Sequence, residues 1–275
     1  MAPGLNLIGA GHVGRVLGRL FARHGCFDIQ QVLTRSMASA RDGVAFIGAG
    51  DAVERYEQLQ PAAVHVLAVG DDQIAHACAA LARAVPLAGS VVFHCSGALA
   101  SDRLRAAREA GALVASVHPI RSFADPSAVA AQFGGTFCGI EGDAGALAVL
   151  TPALTAIGAR PVPIEASAKT VYHAAAVFAS NYLVTVLDAA LRAYQAAGIP
   201  EPVARQMAQP LASESMANVF RLGAAAALSG PIARGDMATV DRQQRAVAGW
   251  DAGTGALYQA LVAPTAALAR RKHQK

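Results

Sequence analysis

The residues best suited to chemistry lie on one face of a predicted apolar helix. Residues 169–188 read KTVYHAAAVFASNYLVTVLD. Lys169, His173, Ser180 and Asn181 fall near one stripe, because spacings of four, seven and eight return to the same helix face. Burying an amide or an ammonium without partners costs roughly 2–7 kcal/mol or more, so the stripe must face partners, water or a ligand. The pattern therefore predicts a site on this helix.

Lys169 is also unusual in composition. Apart from Lys272 and Lys275 near the C-terminus it is the only lysine, and every other fixed cation of the chain is an arginine. Of the two residue types, only lysine can lose its proton near neutral pH. We therefore interpret Lys169 as a residue that transfers protons. The alternative is a solvated lysine in the first turn of a helix, where a cation opposes the helix dipole.

Two further polar clusters follow predicted strands. HCSGAL comes directly after residues 90–93, and HPIRSF after residues 113–117. Because ligands bind at the carboxyl ends of strands in open parallel sheets, both clusters are candidate site segments, with loop packing as the alternative. The candidates are His94, Ser96, Gly97, His118, Arg121 and Ser122.

A covalent mechanism is a less favoured interpretation of these clusters. Cys95 or Ser96 would be the nucleophile and His118 its base. Neither nucleophile lies in a GxSxG elbow, and a cofactor domain already accounts for the region.

A glycine-rich turn follows the first predicted strand, residues 5–8. GAGHVG places Gly9, Gly11 and Gly14 in GxGxxG spacing directly before a helical pattern. In such a turn the first glycine allows the tight bend, the second lets backbone approach a pyrophosphate, and the third allows the helix to pack closely on the strand. The predicted cofactor-binding residues here are Gly9, Ala10, Gly11, His12, Val13 and Gly14.

The ends of the next two strands indicate which dinucleotide binds. Residues 29–33 are followed by Thr34, Arg35 and Ser36, where an NAD enzyme would carry an acidic residue for the ribose. An arginine between two hydroxyls suits a 2′-phosphate, which favours NADP(H). Residues 63–69 form the next predicted strand. Val69, Gly70 and Asp71, at the end of that strand, complete the predicted cofactor site. Asp71 or Asp72 is also expected to cap the next helix.

The segment GPIARGD carries two more candidates. Asp236 is placed to cap a helix, and Arg234 is free to clamp a substrate carboxylate or to form a salt bridge between domains. We assign both residues to substrate binding.

These residues require a particular architecture to position them. Strands alternating with helices up to residue 165 predict a Rossmann-like doubly wound α/β sheet of about eight strands, with further strands at residues 136–140 and 160–164. From residue 166 to 275 the pattern is helical. We therefore predict a dinucleotide-binding domain over residues 1–165 and a helical substrate and dimerisation domain over residues 166–275, with residues 169–188 as the helix at the seam.

Composition argues against a disordered chain and against a nucleic-acid-binding protein. The 275 residues are 54% hydrophobic and 15% charged, which is typical of a compact, folded protein. A net charge of +4 suits ligands that carry phosphate, but the arginines are scattered without interleaved aromatic residues, so no nucleic-acid partner is expected.

Cysteines and apolar runs bear on location. Cys26, Cys78, Cys95 and Cys138 lack the spacing of a disulfide framework or a zinc site, so we expect the reducing cytoplasm and no bound metal. The N-terminus lacks the pattern of a signal peptide. The longest apolar run, residues 174–187, is interrupted by polar residues and falls short of the ~20 residues of a membrane span. We therefore interpret it as a buried helix and expect no membrane.

The motifs also resemble a known family. GAGHVG, HCSGAL, SVHPIRSF, KTVYHAAAVFASNY and GPIARGD, in this order, resemble the oxidoreductases that join a Rossmann-like domain to a helical domain of unknown function 2520. The resemblance implies a C-terminal domain like that of 6-phosphogluconate dehydrogenase, dimerisation through it, and NADP(H). It also implies relatedness to ketopantoate reductases, hydroxyisobutyrate dehydrogenases, pyrroline carboxylate reductases and prephenate dehydrogenases.

The resemblance implies roles for individual residues. Lys169 matches the acid/base lysine of hydroxyacid dehydrogenases and ketopantoate reductases, whose partner asparagine lies four residues on. Here that position holds His173, and Asn181 is the available amide. His118 and Pro119 are similar to a histidine-proline pair of prephenate dehydrogenases, in which the histidine contacts the substrate hydroxyl.

The resulting expectation is an NADPH-dependent reductase of a small 2-oxo acid or related carbonyl compound. Lys169 would act as general acid, His173 and Asn181 would orient the substrate oxygen, and Arg234 would hold the carboxylate. The alternatives are a dehydrogenase with His118 as base, and a non-catalytic NADP(H) sensor. The sequence does not identify the substrate or the direction of the reaction. It predicts a homodimer and nothing further about the oligomeric state.

Overall fold

The structure, a computed structural model, describes residues 1–272. The contacts of the chain divide it into two compact units, Met1–Phe178 and Ala179–Lys275. The domain boundary placed after residue 165 stays a prediction. By its contacts, the helix that begins at Lys169 belongs to the first unit.

The first unit is built on one sheet of eight strands. They are β1 (Gly4–Ile8), β2 (Asp28–Leu33), β3 (Asp51–Val53), β4 (Val64–Leu67), β5 (Val91–His94), β6 (Leu113–Pro119), β7 (Phe137–Gly142) and β8 (Arg160–Pro163). Their order is β3-β2-β1-β4-β5-β6-β7-β8, and only the pair β6–β7 is antiparallel. The first six strands follow the 3-2-1-4-5-6 order of dinucleotide-binding Rossmann sheets, so the predicted fold class is confirmed.

Helices cover the sheet because its strands are apolar on both faces. The helices of this unit are α1 (His12–Arg23), α2 (Met37–Ile47), α3 (Ile74–Ala84), α4 (Arg105–Glu109), α5 (Pro126–Ala131), α6 (Ala144–Ala156) and α7 (Lys169–Val177). Val91 and Phe93 of β5 pack in one buried cluster with α1 and α6, while Val92 packs in the other with α3. Strands buried on both faces read as continuous apolar runs, which is why most of them were predictable.

Two short elements of this unit leave little signal in the sequence. Strand β3 has three residues, of which only Val53 is buried, so it leaves almost no periodic signal. Helix α5 is one and a half turns long, but Asp125 caps it by accepting hydrogen bonds from the backbone of Ser127 and Ala128.

Buried amides on β1 and β2 fix the approach to β4. Gln31 Nε2 donates to the carbonyl of Gln58 at 2.7 Å, and Asn6 Nδ2 donates to the carbonyl of Gln60 at 2.7 Å. The backbone N–H of Gln60 in turn donates to Gln31 Oε1 at 2.6 Å. These bonds hold the segment that carries Tyr56, which lines the cavity at the carboxyl edge of the sheet.

The second unit is helical. Its helices are α8 (Leu183–Ala196), α9 (Glu201–Leu222), α10 (Ala224–Ala227), α11 (Met237–Trp250) and α12 (Ala252–Lys272). The two helices expected around residues 202–222 are one helix, α9, with Pro210 inside it. Arg192 links α8 to the start of α12 by donating to Thr254 Oγ1 at 2.9 Å.

The prediction of a buried helix over residues 174–187 is wrong. The helical segment Ala166–Ala196 is long and apolar enough to cross a membrane by length and composition, yet none of its most apolar window is buried within the chain. Val171 is 76% and Val184 65% exposed. The apolar residues of this segment therefore cover no core of their own chain.

A π-helical turn, Phe178–Tyr182, lies between α7 and α8. Such a turn adds a residue to the repeat, so the stripe expected from an uninterrupted 3.6-residue period is broken. Lys169 is buried, whereas Ser180 and Asn181 are exposed.

Candidate functional site

A cavity of about 900 Å³ lies at the carboxyl ends of β1, β2 and β4. This edge is where open α/β sheets bind ligands, and the volume is in the range of cofactor sites. The predicted cofactor-binding residues that line it are Gly9, Ala10, Gly11, Thr34, Arg35, Val69 and Gly70. His12, Val13, Gly14, Ser36 and Asp71 do not line it.

The three glycines of the turn differ as a dinucleotide site requires. Gly9 has φ +93°, and a Cβ there would collide with the carbonyl of Ala68. A Cβ on Gly14 would collide with the carbonyl of Gly9, so the helix packs closely on the strand. A Cβ on Gly11 would meet nothing within 4 Å. The open space at Gly11, at the N-terminus of α1, fits a pyrophosphate.

The end of β2 presents one available cation. The Ser36 side chain accepts the backbone N–H of Ser39 and caps α2, and Thr34 Oγ1 donates to the carbonyl of Ser36 at 2.8 Å. Arg35 is exposed and has no ion pair within residues 1–272, so its guanidinium is available for a 2′-phosphate. Glu54, which the sequence did not indicate because it follows the short strand β3, also lines the cavity and accepts the backbone N–H of Met37 at 3.0 Å.

His12 and Asp71 make contacts other than those expected. His12 Nδ1 bonds the carbonyl of Phe123 at 2.5 Å, which ties the start of α1 to the segment after β6. The capping role expected of Asp71 or Asp72 is wrong, because a 3₁₀ turn, Asp71–Gln73, precedes α3 and Gln73 occupies its N-cap. Asp71 instead accepts the hydroxyl of Ser96 at 2.9 Å.

The HCSGAL turn after β5 is held by its own side chains. The backbone N–H of Ser96 donates to His94 Nδ1 at 3.1 Å, and His94 Nε2 faces the carbonyl of Ala100 at 3.1 Å. Burial lowers the pKa of His94 to about 4, so this histidine is neutral and structural. Ser96 Oγ also accepts the backbone N–H of Leu99 at 3.0 Å.

This turn does not activate a nucleophile. The hydroxyl of Ser96 is bonded to Asp71 and not to a histidine. Burial raises the pKa of the Cys95 thiol to about 12, and a thiolate is the reactive form. The geometry therefore gives no support to the covalent alternative.

His118 forms a cluster with α7 at the end of β6. Its Nδ1 lies 2.9 Å from the hydroxyl of Tyr172, and its ring meets the ring of His173 edge-on at 5.3 Å between centroids. A Cβ on Gly97 would lie 2.8 Å from His118 Nε2 and would collide with His173 Nδ1. Both histidine rings therefore pack directly against the backbone of Gly97, where a larger residue would not fit. His173 Nδ1 is buried without a hydrogen-bond partner.

His118 is neutral in this cluster. Burial first, then the neighbouring His173 and Lys169, lower the pKa of His118 to about 4, against an opposing effect of Asp71. A neutral imidazole has one nitrogen that donates and one that accepts. Tyr172, which sequence reasoning missed although it precedes His173, contacts one of the two.

Lys169 is enclosed beneath this cluster. Its side chain is 3% exposed, and its ammonium donates to the carbonyl of Ser96 at 2.9 Å and to the hydroxyl of Ser116. Glu141 Oε1 lies 3.9 Å from Nζ, and Glu141 also accepts the backbone N–H and the hydroxyl of Ser101 at 2.7 and 2.8 Å. Burial lowers the pKa of Lys169, and Glu141, Cys95 and Asp71 oppose this effect. The ammonium is thus directed at the protein, and the geometry favours an indirect role over contact with substrate.

The remaining predicted site residues lie outside the cofactor cavity and outside the cluster around His118. Arg121 donates to the carbonyl of Gln132 and to Thr136 Oγ1, so it organises the turn after α5. Asp236 caps α11 by accepting the backbone N–H of Thr239 at 3.1 Å, while Arg234 is exposed in a 3₁₀ turn, Ile232–Arg234. Ser180, Asn181, Arg234 and Asp236 all lie in the second unit, and their contact with substrate stays a prediction.

Comparison with known families accounts for most of the chain. Residues 4–119 match the family described as a Rossmann-like domain, and residues 136–265 match the domain of unknown function DUF2520. This chain pairs a Rossmann-like domain with a DUF2520 domain. The pairing confirms the predicted resemblance, and the DUF2520 match includes β7, β8, Glu141 and the whole of α7.

Solved structures show the same fold along the whole chain. A protein described as an NADP oxidoreductase, BF3122 from Bacteroides fragilis, is 20% identical over 100% of this chain and 99% of its own, with a TM-score of 0.78. Protein TM1727 from Thermotoga maritima is 27% identical over 98% and 99%, with a TM-score of 0.72. An imine reductase from Myxococcus stipitatus in complex with NADP⁺ is 15% identical over 99% and 94%, with a TM-score of 0.67. No curated protein matches the sequence.

The first prediction concerns Gly11. Gly11→Ala should weaken NADPH binding about tenfold or more, because a methyl group would occupy the open space against the pyrophosphate, and should leave the melting temperature unchanged. Fluorescence titration with NADPH and thermal unfolding measure the two quantities. Gly249→Ala, at a helical glycine that also has open space, is the matched control. Unchanged NADPH affinity in Gly11→Ala would contradict the assignment.

The second prediction concerns the buried ion pair. Lys169→Met should lower the free energy of unfolding by about 3–5 kcal/mol, because Glu141 is left buried without a counter-charge. Adding Glu141→Gln should recover most of the loss, since the amide keeps the bonds from Ser101. Urea unfolding followed by circular dichroism measures this. Arg105→Met, at an exposed pair with Glu109, is the control and should cost less than about 1 kcal/mol. Equal free energies of unfolding for wild type and Lys169→Met would show that the buried pair of Lys169 and Glu141 does not stabilise the fold.

Proposed function

We propose that this protein is an NADP(H)-dependent oxidoreductase that reduces a small carbonyl compound, such as a 2-oxo acid, with His118 at the reacting oxygen. The observation that carries the proposal is the neutral His118, whose Nε2 has no protein partner in the described chain and lies beside the Gly97 turn. The NADP proteins of the same fold support the cofactor.

The chain's own groups would hold the cofactor. The N-terminus of α1 and the space at Gly11 receive the pyrophosphate, and Arg35 binds the 2′-phosphate. When bound, NADPH supplies a hydride, which carries both electrons of the reduction to the carbonyl carbon. The carbonyl oxygen must then take up one proton to give the alcohol and NADP⁺.

His118 is the titratable side chain best placed to serve that oxygen. It is the penultimate residue of β6, one strand beyond the HCSGAL turn, and it lies at the carboxyl edge of the sheet, the same edge as the cavity. An N–H of a neutral imidazole stabilises an oxygen that gains negative charge and adds no positive charge before reaction. General acid–base catalysis of this kind is typically worth about 10²–10⁴ in rate.

Lys169 supports the site from beneath in this proposal. Its ammonium holds the carbonyl of Ser96 and contributes to the lowered pKa of His118. This role replaces the expected direct proton transfer from Lys169. Clamping of a substrate carboxylate by Arg234, and orientation of the substrate by His173 and Asn181, remain part of the proposal as expected from the sequence.

The oxidative direction is the alternative that the same geometry serves. A histidine with a pKa of about 4 is neutral at pH 7, and in the tautomer with its proton on Nδ1 the free Nε2 would accept a proton from a substrate hydroxyl. We place the reaction in the cytoplasm, since all four cysteines are free thiols.

The third prediction tests His118. His118→Gln should lower kcat for NADPH oxidation by about 10²–10⁴ while NADPH affinity is unchanged, because Gln cannot exchange a proton. Ketopantoate, other branched 2-oxo acids and pyrroline carboxylate form the substrate panel, with NADH as cofactor control. His24→Gln, at an exposed histidine, should leave turnover unchanged. Near-normal turnover by His118→Gln would remove it from the mechanism, and NADPH binding without turnover of any substrate would favour a sensor.

We also propose that the second unit pairs with a second copy of this chain. Among its described residues only Ala204, Val240, Thr254, Gly255 and Ala269 are buried. A helical unit with so few buried residues cannot offset the entropy of ordering its chain. Its apolar side chains are instead exposed, with Leu211 at 59% and Phe220 at 90%.

A second copy suits this surface better than a bilayer does. The apolar segment Ala166–Ala196 begins with α7, whose Lys169 is enclosed against the sheet, and it carries the ion pair Asp188–Arg192. Intertwined homodimers cover such surfaces symmetrically, and their subunits have no stable folded monomer.

The fourth prediction concerns this dimer. Light scattering should give twice the chain mass of 28.0 kDa, and the urea midpoint should rise with protein concentration. Leu211→Asp should lower that midpoint, because a charge is buried in the interface, whereas Ser213→Asp on the same helix should not. A wild-type monomer whose midpoint is independent of concentration would contradict the proposal.

A further inference from the structure

We propose that Tyr172 acts through His118 as the second member of a proton relay. As hydride reaches the carbonyl carbon, the Nε2 proton of His118 moves to the oxygen while the Tyr172 hydroxyl proton moves to His118 Nδ1. The inference rests on the proposed function of His118, and it names the source of the proton that the reduction consumes.

A neutral histidine needs such a source. An imidazole that gives up its single ring proton becomes an anion unless its other nitrogen gains a proton in the same step. Because His118 is neutral at pH 7, an acid on the Nδ1 side is required for it to act as a donor. Tyr172 is the residue on that side.

The geometry sets the starting positions of both protons. Tyr172 Oη lies 2.9 Å from His118 Nδ1, and the two rings meet edge-on at 87°. This contact fits the tautomer that the relay requires, in which the Tyr172 phenol donates to Nδ1. The proton of neutral His118 therefore resides on Nε2, the nitrogen beside Gly97 that has no protein partner.

The surroundings of Tyr172 keep its hydroxyl protonated before the reaction. Its oxygen lies against Gly139, where a Cβ would collide with the hydroxyl. Burial, and then Cys138, raise the pKa of Tyr172 to about 12, and the backbone N–H of Gly139 opposes them by stabilising the phenolate. An alkoxide is a stronger base than this phenolate, because an aliphatic alcohol is a weaker acid than a phenol. The transfer through His118 is therefore downhill, and solvent restores the phenol after product release.

Two charged groups near His118 are already engaged by other residues. Lys169 donates to Ser96 and Ser116, and Asp71 accepts from Ser96. His173 presents a buried Nδ1 without a partner, next to Gly97. Beside Tyr172, Cys138 is a buried thiol whose pKa is raised to about 12. Tyr172 is thus the hydroxyl in direct contact with His118.

The fifth prediction follows from Tyr172→Phe. With an accepted substrate, kcat should fall about 10²-fold, while KM, NADPH affinity and melting temperature stay within about twofold or a few degrees of wild type. The wild-type rate should be flat between about pH 5 and 9, because His118 stays neutral and Tyr172 stays protonated. In Tyr172→Phe the rate should fall about tenfold per pH unit above the pKa of His118, since only the protonated imidazole can still donate.

Solvent isotope effects give a second readout. The wild-type rate, plotted against the fraction of D₂O in the solvent, should follow a curve because two protons move in the same step. The rate of Tyr172→Phe should fall on a straight line because only one proton moves. Tyr194→Phe is the matched control. A flat pH profile with wild-type kcat in Tyr172→Phe would overturn the relay, and so would a variant that loses NADPH binding and folding in parallel with activity. If His118→Gln retains turnover, the proposed function fails first; if only Tyr172→Phe is unaffected, the relay alone fails.

Discussion

The buried ammonium of Lys169 is the interaction on which the site depends. It joins the turn after β5, the middle of β6, the carboxylate on β7 and the start of α7 at one point. Removing an ammonium from water is costly, and here a carbonyl, a hydroxyl and a carboxylate offset the cost together. Because those partners belong to separate elements, none of them can move without exposing an unpaired charge.

This constraint contributes to the electrostatics around His118. Burial lowers the pKa of His118 most, and His173 and the fixed positive charge of Lys169 lower it further, so the histidine is neutral. The same network keeps the Ser96 carbonyl and the Gly97 backbone in position against the two histidine rings. In the proposed mechanism the cation is therefore structural, and the group that meets the developing alkoxide is uncharged.

The sequence predicted the fold more completely than the site. GxGxxG spacing, apolar strands and the order of motifs were enough for the Rossmann-like sheet, since each is a local signal. Lys169 was singled out by its rarity, but rarity cannot tell whether its ammonium faces a substrate or a buried carboxylate. Glu141 lies on β7 and meets Lys169 only because an antiparallel strand was added beside β6.

The helix period predicted the wrong face for the residues beyond Phe178, because the π-helical turn there shifts their positions around the helix. Tyr172 has no signal of its own, and only its distance to His118 reveals it.

The most direct test of this account is a crystal structure with NADP⁺ and an unreactive 2-hydroxy acid bound together. The account predicts a pyrophosphate at the N-terminus of α1 and the substrate hydroxyl within hydrogen-bond distance of His118 Nε2, with Lys169 still bonded to Ser96 and Ser116. A substrate hydroxyl bonded to the Lys169 ammonium, with His118 out of reach, would contradict it.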